Sequence, residues 1–173
     1  MSISLYDVSV RSFVQTLGGV ATFLDRGLSH FQDKNVDPNA VTEARLFDDM
    51  LPFAFQIHSV LHHSIGAIEA VKKGESGIPS PMPARTYADM QSAIAEAKSA
   101  LEKLDPAEIN GLEGNDMFFQ IGPNRLPFTA EGYLMSFALP NLHFHATTAY
   151  DILRTKGVPL GKRDYLGPMR MKV

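Results

Sequence analysis

The chain has 173 residues, a formal net charge of −3, 45% hydrophobic and 20% charged residues, and no cysteine. This is the make-up of one globular domain, residues 1–173, with room for a single core. It excludes disulfides, thiolate metal ligands and a cysteine nucleophile, and it gives no case for nucleic acid or an anionic membrane as partner. No stretch approaches about 18 uninterrupted apolar residues. The start, MSISLYDVSV, lacks a basic segment followed by an apolar run, so the expectation is a cytoplasmic protein without a signal peptide.

From residue 4 to about 31, Tyr6, Val10, Phe13, Leu17, Val20, Leu24, Leu28 and Phe31 recur every three or four positions. That is a helix with a sustained apolar seam. Gly18 and Gly19 weaken it locally and suit the close approach of a neighbour. The polar segment 32–39 contains Asp37-Pro38 and reads as a connection. A second long helix is expected to begin at Asp48 or Asp49, with Pro52 in its first turn. Its core arc takes Met50, Phe53, Ile57, Val60, Leu61, Ser64, Ile68 and Val71, and Gly74 closes it.

Residues 74–85, GESGIPSPMPAR, read as a loop with little helical or strand potential. Thr86-Tyr-Ala-Asp89 then matches a helix-start signal. The third helix follows with a seam of Tyr87, Met90, Ile94, Ala97, Leu101 and Leu104. Asp105-Pro106 ends it. Met117 to Ile121 is strand-like, Gly122-Pro-Asn124 is a turn, and Leu126 to Phe128 returns as a second short strand. Thr129 caps the fourth helix, and Pro140 inside that helix predicts a bend. Gly157 and Pro159 stop it. The basic tail is expected to lie across the bundle or a neighbouring chain through Leu160, Tyr165 and Leu166. The fold class is therefore all-α, an up-and-down four-helix bundle with a β-hairpin before the last long helix.

The last helix breaks its own pattern. Leu134, Phe137, Ala138, Leu142, Phe144, Ala149, Ile152 and Leu153 share one broad arc at about 100° per residue. Asn141, His145 and Thr148 fall inside that arc, where a buried polar group needs a partner. On the second helix, Asp49, Gln56 and His63 recur at spacings of seven along the core margin. Two readings follow. One is a hydrogen-bonded polar plug. The other is an inter-helix pocket lined by His145, Asn141 and Thr148 and completed by Gln56, His63 or Asp49. His58 and His62 have the i, i+4 spacing of a metal pair, but their arc faces away from the core and they read as solvated. His143 is placed at the surface or an interface. Arg125, Lys162 and Arg163 are too few for an anion-binding patch. No nucleophile elbow, phosphate loop or dinucleotide fingerprint is present.

SISLYDVSV and FALPNLHFHATTAYDILRTKGVPLGKRDYLG together resemble a bacterial family known only as a domain of unknown function, within the DinB/YfiT-like bundles. The resemblance covers essentially the whole chain. It implies a four-helix bundle that is often a homodimer. In the wider superfamily, three histidines commonly hold a divalent metal, one from the second helix and two from a His-x-x-x-His pair on the last. Some metal-binding relatives are thiol-dependent transferases or isomerases. Here Asn141-Leu-His-Phe-His145 replaces that pair, so the implied site is degenerate and no cofactor is expected. If zinc or nickel were bound, His145 would be its first ligand. The functional expectation is a small-molecule-binding bundle around His145, with catalysis left open. The alternative is a non-catalytic, dimeric interaction or stress-associated protein without metal.

Overall fold

A computed structural model of the chain describes residues 3–79 and 85–172, most of them helical. The first seam is interrupted once. α1 (Leu5–Val8) and α2 (Val10–Asp33) are separated at Ser9, whose hydroxyl donates to the Leu5 carbonyl at 2.6 Å. Such back-bonding competes with the helical ladder and bends it. Phe13, Leu17, Val20, Leu24 and Phe31 are all buried along α2. A single 3₁₀ turn, Pro38–Val41, follows.

The second helix starts later than predicted. α3 (Phe53–His62) has Pro52 as its N-cap, and Asp48 and Asp49 lie exposed in the preceding turns. The residue before a proline is biased away from the helical region, and Leu51 is non-helical here. A second break, at His63 and Ser64, separates α3 from α4 (Ile65–Lys73). The Ser64 hydroxyl donates to the Val60 carbonyl at 2.7 Å. Gly74, at φ 82°, closes α4.

The loop expected after Gly74 contains a strand, β1 (Glu75–Gly77). Positions 80–84 of that loop lie outside the described residues. α5 (Tyr87–Glu102) opens with the capping box read from the sequence: Thr86 accepts from the Asp89 N–H, and Asp89 accepts from the Thr86 N–H. After the short α6 (Pro106–Asn110), β2 (Asp116–Ile121) and β3 (Asn124–Thr129) pair antiparallel, with Ile121 opposite Asn124. β1 adds to β2 in parallel, giving the order β1-β2-β3. The sheet was not foreseen beyond its hairpin, because Glu-Ser-Gly has no strand propensity of its own.

Thr129 caps α7 (Ala130–Tyr133). Next comes a π-helical turn, Leu134–Ala138, and then α8 (Leu139–Thr155), with Pro140 in its first turn. Proline clashes with the carbonyl four residues back. Widening the turn ahead of it, so that the Leu139 N–H reaches the Leu134 carbonyl, relieves that conflict. The tail crosses α2: α9 (Lys162–Leu166) lies on it, and the Gln15 side-chain amide donates to the Leu166 carbonyl at 3.0 Å. A Cβ on Gly19 would collide with the Tyr165 carbonyl, and one on Gly18 would stand 2.8 Å from Pro168 Cδ. The glycine pair is therefore the seat of the tail.

Candidate functional site

α3 lies against α8, and the polar side chains of the two helices meet at one level. Gln56 is 2% exposed. Its amide N–H donates to the Leu51 carbonyl at 2.7 Å, which turns its oxygen toward His145 Nδ1, 2.8 Å away. An amide oxygen only accepts, so His145 carries its proton on Nδ1 and presents a bare lone pair on Nε2. Phe55 and Phe144 flank the ring, with centroids at 6.0 and 5.2 Å.

His63 sits at the α3–α4 break and is 5% exposed. Its ring is parallel to that of His145 within 4°, with centroids 5.7 Å apart. Phe137, in the π turn, meets its face at 5.7 Å, and the ring of His62 stands perpendicular at 4.8 Å. His63 Nδ1, His62 Nε2 and Ser59 Oγ are buried without a partner among the described residues. Burial drives the His63 pKa down to about 3, with His62 and His145 adding to the effect. Burial likewise takes His145 to about 4, with His62 contributing. His62 is lowered by burial and by His58, while a hydrogen bond with the Gly77 backbone pulls the other way. The three imidazoles are thus neutral at pH 7, each able to donate through one nitrogen and accept through the other.

The remaining predicted site residues lie apart from this cluster or are turned away from it. The Asn141 amide N–H donates to the Phe137 carbonyl in its own helix at 2.8 Å. Thr148 is buried and donates to the Phe144 carbonyl at 2.8 Å. Asp49 is exposed outside the helix that was to carry it toward Gln56. His62 corrects the expectation of two solvated histidines: it is half-buried, and β1 covers it. Nothing in the periodicity could have found that contact, since it comes from a segment that reads as loop. His58 is half-buried beside Phe55, with ring centroids at 6.4 Å. His143 is exposed, its Nδ1 3.2 Å from the Tyr165 hydroxyl.

Of the last-helix positions where the wider superfamily carries metal-binding histidines, Asn141 is tied to its own backbone, while His145 keeps the Nε2 lone pair. Among the described residues, no group of three or more His, Cys, Asp or Glu is arranged to hold an ion.

A mostly helical chain with a three-stranded sheet at one edge of its helices, and a buried imidazole cluster between the second and last long helices, has the form of a DinB-like protein. A crystal structure of a DinB family member from Shewanella denitrificans matches with a TM-score of 0.77 and 26% identity, over 98% of this chain and 95% of that one. Residues 5–166 match DUF1993, a domain of unknown function, and the chain belongs to that family. No curated protein matches it.

Proposed function

We propose that the protein binds a small, uncharged polar molecule between its second and last long helices, gripped by the neutral imidazoles of His62, His63 and His145. The reading treats residues 10–33, 53–73, 87–102 and 130–155 as the four members of an up-and-down bundle, and the superfamily's three-histidine metal site as degenerate in this chain. The observation that carries it is the pair of buried ring nitrogens, His63 Nδ1 and His62 Nε2, that no group among the described residues satisfies. Each such atom costs about 1–3 kcal/mol when left unpaired, a cost that a donor-bearing and acceptor-bearing ligand removes. The absence of charge on the rings favours a neutral ligand over an anion.

Native mass spectrometry of tag-free protein, compared with His63→Leu and Gln56→Leu, tests the proposal. The expected result is a bound mass carried by the natural chain and lost from both variants. A chain with no bound mass, together with a His63→Leu variant that is merely more stable, identifies a polar plug. A stoichiometric zinc or nickel ion lost with His145→Ala overturns the metal-free reading.

A second reading, dimeric interaction, rests on a separate observation. Phe47 and Phe144 are 69% and 57% exposed, and Leu46 and Leu51 are exposed near them in space or sequence. Leu46 and Phe144 share a cleft of about 530 Å³ with Met50, Pro140 and Thr147. Exposed apolar groups that gather in this way mark contact surfaces. Sedimentation equilibrium is expected to show a dimer that Phe47→Ser with Phe144→Ser converts to monomer. Unchanged mass in that variant removes this reading.

A further inference from the structure

The fold brings together cations that the sequence keeps apart. Arg26 of α2, Arg154 of α8, and Lys162 and Arg163 of α9 line one open cleft of about 620 Å³, with Pro159, Leu160, Gly161 and Asp164. Four cations against one carboxylate leave an excess of three positive charges there, in a chain whose net charge is −3. Lys162 and Arg163 are consecutive exposed residues of the five-residue α9.

The two arginines are already ordered. Arg26 reaches Asp164 at 2.6 Å through one terminal nitrogen and the Pro159 carbonyl at 2.8 Å through the other. Arg154 donates to the Val158 carbonyl at 2.9 Å. A guanidinium has five N–H donors in a rigid fork, so both retain donors after these bonds. Anchoring also removes part of the rotamer entropy that a flexible side chain loses on binding. Planar forks held in place, flanked by two exposed cations, suit the tetrahedral oxygens of phosphate.

We propose that this cleft binds a phosphate-bearing small anion, with a diphosphate group matched to its threefold charge excess. Arg26 and Arg154 fix the group, and Lys162 and Arg163 supply the remaining charge. This site is separate from the imidazole cluster and does not depend on it.

Calorimetric titration of the full chain with inorganic pyrophosphate at low salt tests the idea. The expected outcome is saturable one-to-one binding that weakens about tenfold in Arg163→Gln, or about 1.4 kcal/mol. Arg163 is exposed, so its loss leaves the fold intact. Arg154→Gln is expected to weaken binding further. Lys103→Gln, which removes the same charge from the end of α5, is expected to leave affinity unchanged. The proposal is overturned by absence of saturable heat in the natural chain, or by equal weakening in Lys103→Gln. It is also overturned if phosphatidic acid vesicles retain the protein and excess pyrophosphate fails to release it, because the ligand would then be a lipid surface.

Discussion

Acidification should unfold this protein through His63 in a way that one substitution removes. The native pKa of His63 lies near 3, below the ordinary histidine value of about 6.5. Between those values the unfolded chain binds the proton and the native chain does not. Stability is therefore present above about pH 6.5 and falls as pH drops through the window toward 3. Going from about pH 8 to about pH 5, this one group costs about 2 kcal/mol. The figure hardly changes if the native value is 4 instead of 3, because both lie well below pH 5. His145, with a native value of about 4, adds a cost of the same sign. The assay is urea unfolding of the natural chain and His63→Leu at both pH values. The loss of stability on acidification is expected to be about 2 kcal/mol smaller in the variant. At pH 8 the variant should be no less stable, since leucine replaces a ring with an unpaired buried nitrogen. An identical acid response in the two proteins, or an imidazole ¹⁵N signal of His63 titrating near pH 6.5, would refute the reasoning.

Gly19→Ala drives a methyl group into the Tyr165 carbonyl, and backbone on both sides cannot yield cheaply. A loss of about 1–3 kcal/mol is expected in thermal unfolding, with faster proteolysis of the tail beyond Pro159. Thr86→Ala removes the side-chain half of the α5 capping box and should cost about 1 kcal/mol in urea unfolding, without moving the acid response. Gln56→Leu leaves His145 Nδ1 without its acceptor. A loss of about 1–3 kcal/mol is expected, together with a change in the His145 tautomer seen in its two ring-nitrogen shifts.

The apolar seams made the long helices legible. Phe13, Leu17, Val20 and Leu24 in the first, and Met90, Ile94 and Leu101 in the third, are all buried where their spacing puts them. The hairpin was legible too, because Phe-Phe-Gln-Ile and Gly-Pro-Asn carry local strand and turn signals. Interruptions were not. The breaks at Ser9 and at His63-Ser64 coincide with hydroxyls that bond back to carbonyls, but Ser29 bonds back in the same way inside the unbroken α2, so the residue type does not announce a break. The late start at Phe53 was recoverable from Leu51-Pro52, but the acidic pair at 48–49 gave a competing cap signal. At the polar cluster, the wheel brought Gln56 and His145 into reach of each other, and they are hydrogen bonded. It misdirected Asn141 and Thr148, whose side chains each turn to a carbonyl of the preceding turn. It also hid His62, whose cover arrives from β1, a strand made by its neighbour.

That parallel strand has a consequence for how the chain reaches its final form. β2 and β3 are joined by a tight turn and can zip together from local contacts within microseconds. β1 must wait for Thr86 to Glu102 to coil and cross over before Glu75 can reach Phe118, and closing so long a loop is slow. The lid over His62 is therefore among the last parts of the molecule to assemble, and the first that a destabilised chain would open.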